Sequence, residues 1–253
     1  MFDNNYFSRQ IYFDHPELVV NYDGKTKEIG EEENPCVTIV QKYDSDESGV
    51  VWDSALLMAK YLEYYCHCNQ RTMIDSNVIE LGSGTGFVGI WCATMGASVM
   101  LTDLQASIPL IKLNIEKNSS LLSNDQVQVE SFDWLDQSVF QWQFLRWKPL
   151  DQIDYILMSD CIYYEQGMLA LFQFIRWLFE TLMINRPSSS SHHLQILISY
   201  EDRDEKISLC NDFFQKLKQC KHLKCEIITN EKLHPDYQSN DLHLLRIAYS
   251  NEF

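Results

Sequence analysis

Few residues in this sequence of 253 would staple or interrupt a chain. Glycine and proline number only 9 and 6. Collagen and low-complexity disorder are excluded on that composition, and 45% hydrophobic with 22% charged residues is globular. Eight cysteines are too sparse for a disulfide scaffold of this length. No apolar run is long enough to span a membrane. The best candidate, Met168 to Ile184, is interrupted by Gln173, Arg176 and Glu180 and falls short of the ~20 residues required. The opening MFDNNYFSRQ has no apolar core, so no secretion signal is expected. The cysteines then read as reduced thiols, and the expected compartment is the cytoplasm, with the nucleus also open.

Positive charge is also scarce: 20 Lys and Arg face 36 Asp and Glu, for a net charge of −16. Such a surface repels phosphate backbones, so nucleic acid is a poor partner and a basic protein segment a better one. The chain is expected to be a monomer. Residues 1–48 hold 11 acidic and 4 basic residues, −7 of the total. The run Glu28 to Glu33 reads as a solvated loop, because like charges repel and extend.

Two regions differ in pattern. Residues 1–48 read as a β-rich extension, with short runs at Gln10–Phe13, Leu18–Tyr22 and Val37–Tyr43 and a turn signal at Asp23-Gly24. Residues 49–253 read as the main domain. There Asp53 is placed to cap a helix carrying Leu56, Leu57, Tyr61, Leu62 and Tyr65 at helical spacing. Strands at Asn77–Leu81, Ser98–Thr102, Val127–Ser131, Ile153–Ser159 and Leu194–Tyr200 then alternate with helices at Phe87–Met95, Ser107–Lys117, Gly167–Ile184 and Lys206–Leu217. That alternation predicts an α/β fold with a parallel sheet covered on both faces. Cys225–Thr229 and Leu242–Ala248 are strands with no helix between them, so one member of this closing pair should be antiparallel. Asn185–His193, rich in serine, reads as a surface loop.

The strand Asn77–Leu81 runs into Gly82-Ser83-Gly84-Thr85-Gly86 and a helix, and Asp103 ends the next strand. Glycines let backbone approach a ligand closely, helix amides offer it donors, and an acid at Asp103 suits ribose hydroxyls. Gly84, Gly86 and Gly89 also satisfy the dinucleotide fingerprint. Two features favour S-adenosyl-L-methionine over a nicotinamide cofactor. Glu80 suits a cationic ligand and not a pyrophosphate, and the motif begins about 80 residues into the chain.

Other candidates surround that motif. Trp52 precedes the first helix and Trp134 follows the third strand of the main domain; either ring could stack on adenine or face a cation, and either could be core. Ser159 ends the next strand with Asp160 and Tyr163 just after it, and Glu201 ends the one after, all at the edge where open α/β sheets place ligands. Glu201 could equally be a surface carboxylate paired with Arg203. Cys66-His67-Cys68 lacks the usual zinc spacing, and His192-His193 lacks a third ligand, so no metal is expected.

Together, Val50-Val51-Trp52-Asp53, the stretch from Glu80 to Ile90, Leu101-Thr102-Asp103-Leu104, Asp133-Trp134 and the Asp160-x-x-Tyr163 pair resemble family 16 of the seven-β-strand protein-lysine methyltransferases, over roughly residues 49–249. Tyr200-Glu201 and the ending His234 to His243 look most like the branch acting on valosin-containing protein. The resemblance implies a Rossmann-like seven-stranded class I methyltransferase sheet and methyl transfer to a lysine on a folded protein, an ATPase or chaperone. It implies cofactor contacts at Trp52, Gly82, Ser83, Gly84, Asp103, Trp134, Ser159 and Tyr163, with Glu80 beside them. Asp160 and Glu201 would capture the lysine, and Tyr163 would wall the transfer channel. A small-molecule methyltransferase, a non-catalytic cofactor-binding scaffold and a nicotinamide dehydrogenase remain the alternatives.

Overall fold

A computed structural model describes residues 5–20, 35–43, 47–136, 147–185, 194–203 and 206–249. The Asp23-Gly24 turn, the acidic run Glu28–Glu33, residues 137–146, and residues 186–193 with His192 and His193 lie outside the described residues. Strands β1 (Tyr6–Tyr12) and β2 (Cys36–Lys42) form an antiparallel pair. A larger sheet contains β3 (Asn77–Leu81), β4 (Ser98–Asp103), β5 (Val127–Ser131), β6 (Tyr155–Ser159), β7 (Gln195–Glu201), β8 (Leu223–Ile227) and β9 (Leu242–Tyr249). Its order is β5-β4-β3-β6-β7-β9-β8, and β9 alone runs against its neighbours.

Alternation along the strands builds two cores. Val78, Val99, Leu101, Leu157, Leu197 and Leu244 face one side, where α1 (Asp53–Cys68), α2 (Phe87–Thr94) and α3 (Ile108–Lys117) pack. Their chain neighbours Ile79, Met100, Ile156, Met158, Ile196, Ile198 and Leu245 face the other, against α4 (Glu165–Asn185) and α5 (Ile207–Lys218). Successive strand side chains point to opposite faces, so a strand buried on both is apolar on both, as these strands are apart from the polar residues Glu80, Thr102, Asp103 and Ser199 at or near their carboxyl ends. Each such side chain contributes about 1.5–3 kcal/mol on burial. The sheet order reverses between β3 and β6, which pair in parallel although β4 and β5 lie between them in the chain. The carboxyl ends of these two strands therefore part, and a crevice opens between their connections.

The β1–β2 pair is tied to the main body by two devices. Asn114 and Asn118 lie one helical turn apart on α3, about 6 Å along the axis. Thr38 and Val40 lie two residues apart on β2, about 6.8 Å. The spacings match, and each asparagine carboxamide accepts from and donates to one of these strand residues. Asn118 bonds Thr38 N–H and C=O at 2.8 Å each, and Asn114 bonds Val40 N–H at 2.7 Å and C=O at 3.0 Å. The second device is ionic. Lys60 and Glu63 on α1 are both fully buried. Lys60 Nζ donates to Tyr12 O at 2.6 Å, Asp14 Oδ2 at 2.5 Å and Glu63 Oε2 at 3.0 Å. The other oxygen of Glu63 accepts from the Asp14 and His15 amides at 2.6 and 2.7 Å. Phe13, between them, stacks on Trp91.

Two local expectations are corrected. Of the expected strand Leu18–Tyr22 only Leu18–Val20 is described, and its start differs: Pro16–Leu18 is a 3-10 turn with proline at its start, where the fixed φ favours it. Of that run, Val20 N–H reaches the Thr94 carbonyl at 3.2 Å. Asp53 does not cap α1. Trp52 holds the cap position, and Asp53 sits in the first turn, where its charge suits the positive end of the helix.

None of the eight cysteines is in a disulfide. Among the described residues, the only trio of clustered potential metal ligands is His15, Glu17 and His67. The two imidazoles stack at 3.5 Å with 15° between planes, and both Nδ1 atoms lie near Glu17 Oε1, at 3.4 Å for His15 and 2.8 Å for His67. No helix among the described residues is long and apolar enough to cross a membrane.

Candidate active site

The turn after β3 has positive φ at Gly82, Gly84 and Gly86, +62°, +54° and +79°. Close approach adds a second requirement. A methyl group at Gly82 would meet Cys161 Sγ at 2.8 Å and the Trp134 ring at 3.3 Å, and one at Gly84 would meet the Ser48 carbonyl at 3.0 Å. Gly89, one turn into α2, lets that helix press on the sheet: a methyl there would lie 2.1 Å from Leu101. The close packing brings Gly89 N–H to Glu80 Oε2 at 2.9 Å.

Two carboxyl groups flank the turn. Asp103, at the end of β4, accepts from Gly84 N–H through Oδ2 and from Leu104 N–H through Oδ1, both at 2.7 Å. It thus fixes the turn while facing the crevice. Burial pushes the Glu80 carboxyl up to about 8, against the Gly89 hydrogen bond and helped by the Asp103 charge. A cationic ligand beside it would favour its ionised form.

A second constellation ends β6 and β7. Asp160 has φ +55°, in the left-handed region that Asp tolerates better than most residues. Its N–H reaches the Ser199 carbonyl at 2.9 Å, and its Oδ1 accepts from Glu201 N–H at 3.2 Å. Burial raises the Asp160 pKa, and the neighbouring Arg203 opposes that rise. Arg203 Nη2 donates to Asp160 Oδ2 at 3.1 Å and to Glu201 Oε2 at 2.5 Å, while Nε donates to the same Glu201 oxygen at 2.9 Å. The guanidinium lies 4.5 Å over the Trp52 ring. Ser199 and Ser159 join their hydroxyls at 3.0 Å across the two strand ends.

One cavity of about 540 Å³ unites the two constellations. Its wall includes the glycine turn at Gly82, Ser83 and Gly84, with Glu80 and Asp103, and also Trp52, Trp134, Ser159, Asp160 and Tyr163. Glu201 does not line it; its carboxylate is held by Arg203, as the paired-surface reading allowed. Sequence reasoning missed Arg203 and Lys206 as wall residues. Both follow the end of β7, so their distance from Glu201 was the available signal. Lys206 Nζ sits 5.5 Å over the Tyr163 ring.

The strand order, the reversal at β3 and β6, and the glycine-lined cavity define a class I methyltransferase fold. Cofactor-bound Rv0187 from MTB superposes with a TM-score of 0.51 at 15% identity, over 83% of this chain and 85% of that one. A Streptococcus mutans protein assigned to the SAM-dependent methyltransferases gives 0.54 at 15%, over 84% and 53%. At that identity the likeness establishes fold alone.

The chain belongs to the lysine methyltransferase family, whose model matches residues 31–220. Mouse protein-lysine methyltransferase METTL21E is 37% identical over 116 residues, 45% of this chain and 44% of the relative. Protein N-lysine methyltransferase METTL21A of Xenopus tropicalis is 34% identical over 129 residues, 50% and 53% of the two chains. EEF1A lysine methyltransferase 3 of the same frog is 36% identical over 129 residues, 51% of each. The matched part spans about half the length of these relatives.

Proposed function

We propose that this protein transfers a methyl group from S-adenosylmethionine to the ε-amine of a lysine on a folded protein. The observation that carries the reading is the joining, in one cavity, of an adenosine-type site to a cation site. Gly82, Ser83, Gly84 and Asp103 form the first, and Asp160 with the Trp52 face forms the second. The residues fit the cofactor: the backbone of Gly82 and Gly84 lines the cavity with no side chain between, Asp103 offers acceptors for ribose hydroxyls, and Glu80 answers a positive charge. Bound there, S-adenosylmethionine supplies an electrophilic sulfonium methyl.

The chain's residues aim the amine. A free lysine has pKa of about 10.4 and must lose a proton to become nucleophilic. Asp160 draws the ammonium in from solvent, Tyr163 walls the channel, and the proton leaves to water. Holding the reacting atoms at about 3–3.5 Å supplies most of the rate. Family membership and relatives described as protein-lysine methyltransferases support a protein acceptor. Valosin-containing protein, or a related ATPase or chaperone, is the acceptor favoured by Tyr200-Glu201 and the His234–His243 ending; EEF1A is the competing one, from the name of one relative.

The test is a tritiated-methyl assay with purified protein against valosin-containing protein, a cytosolic chaperone and EEF1A, followed by peptide mapping. Label on a lysine of the first is expected. Label on EEF1A or the chaperone alone overturns the acceptor, and label on RNA or a metabolite alone overturns the protein-lysine reading. Cofactor affinity should fall about 10- to 150-fold in Asp103→Ala, the loss of a hydrogen bond to a charged acceptor. Calorimetry giving an unchanged affinity would remove Asp103 from the site.

A further inference from the structure

Asp160 and Glu201, the two acids expected to receive a lysine, are already bridged by a cation of the protein itself. Arg203 lies two residues beyond Glu201 and folds back over it, with Trp52 covering the guanidinium face. Ordinary surface ion pairs contribute ~0–1 kcal/mol and need no purpose. This one differs in its surroundings: Asp160 is only 14% exposed, and Asp160, Trp52 and Arg203 all face the cavity. Two carboxylates and an aromatic face are what an alkylammonium group seeks, through charge and ring quadrupole alike.

The two halves of the bridge are unequal. Both contacts to Glu201 are at or under 2.9 Å, whereas the one to Asp160 is 3.1 Å, beyond the 2.7–2.9 Å usual for charge-assisted bonds. Arg203 can release Asp160 and stay anchored on Glu201. We propose that Arg203 is an internal stand-in for the substrate lysine, occupying Asp160 and the Trp52 face until an incoming ε-amine displaces it while Glu201 retains it. The proposal rests on the lysine-methyltransferase reading and gives Glu201 a different role, that of a tether. It also sets specificity. Displacing an intramolecular cation costs free energy that a free amine cannot recover, whereas a folded partner offsets it with contacts elsewhere on its surface.

Two measurements test this. The first needs no cofactor and no known substrate. n-Butylammonium, a lysine side-chain mimic, is titrated while the Trp52 indole resonance is followed by NMR. Arg203→Ala should bind it at least about 10-fold more tightly than wild type, the weight of one displaced charge-assisted contact. Adding Asp160→Asn to that variant should abolish the gain. Equal affinities for wild type and Arg203→Ala would overturn the proposal.

The second asks the protein to mark the position. In Arg203→Lys the new amine should accept a methyl in cis. Its nitrogen lone pair forms the N–C bond as the C–S bond breaks, the electron pair stays on sulfur to give S-adenosylhomocysteine, and the amine proton leaves to water. Label on residue 203, at a rate independent of protein concentration, is expected, with none there in wild type or Arg203→Ala. An Arg203→Lys protein that binds cofactor with wild-type affinity and leaves residue 203 unlabelled also overturns the proposal. Failure of the parent reading shows separately, as wild type that binds no cofactor or labels only RNA or a metabolite.

Discussion

Methyl transfer by the Asp160→Asn protein is expected to fall about 100-fold or more, the scale of rate lost when a reacting group is misplaced by an ångström. Asparagine is the informative replacement. Residue 160 has φ +55°, and alanine there would add a backbone penalty of roughly 1–2 kcal/mol, whereas asparagine tolerates the left-handed region. The substitution therefore removes charge while leaving the chain path intact. Gly82, Gly84 and Asp103 do not depend on Asp160 for their hydrogen bonds, so cofactor affinity should stay within about threefold of wild type. Single-turnover transfer measured beside calorimetric cofactor binding separates the two effects. A variant that transferred at the wild-type rate would reduce Asp160 to a strand-end acceptor for the Glu201 amide.

The largest expected loss of stability lies far from that edge. Glu63→Ala should cost about 3–5 kcal/mol, the usual penalty for removing one partner of a buried ion pair. Lys60 would keep Asp14 and the Tyr12 carbonyl, but the Asp14 and His15 amides would lose their acceptor. In a chain of this size each kcal/mol shifts Tm by about 2–4 °C, so a drop of roughly 6–20 °C is expected by circular dichroism. Lys60→Met combined with Glu63→Leu should lose less, because no buried cation is then left with its buried carboxylate partner missing. A Glu63→Ala melting curve within a degree or two of wild type would show that water, not the ion pair, satisfies these groups.

The centre of the seven-stranded sheet was legible because β3, β4, β6 and β7 are buried on both faces. Runs such as Ile156–Met158 and Ile196–Ile198 leave helical spacing no room, and at β3 a glycine marks the end. The glycine turn and Asp103 were legible for a related reason, since both sit where strand geometry delivers them. The anchoring of β1 and β2 was not. Asn114 and Asn118 look like ordinary polar positions of an amphipathic helix, and Lys60 with Glu63 looks like a solvated i,i+3 pair. Their burial follows from which segment lies on them, a long-range fact that local pattern does not carry. Asp160 was legible as a residue at the right edge but not as one with left-handed backbone. Glu201 stands at the expected edge but off the cavity wall, and Arg203 on that wall was missed, for one reason: proximity along the chain gives two residues without saying which faces the crevice.

The carboxamide of Asn114 has one further contact. Besides its two bonds to Val40, its Nδ2 donates to the Thr85 carbonyl at 2.9 Å, within the glycine turn itself. A single side chain thus serves as a rivet through three layers: the amino-terminal hairpin, a helix and the loop that would cradle the nucleoside. Pulling on any one of these layers is felt by the other two. The hairpin, which contributes nothing to the cavity lining from either strand, is consequently part of the mounting that holds the ligand-contacting backbone still. Its sequence is free to vary on the outer face, but not at the height where the rivet passes through.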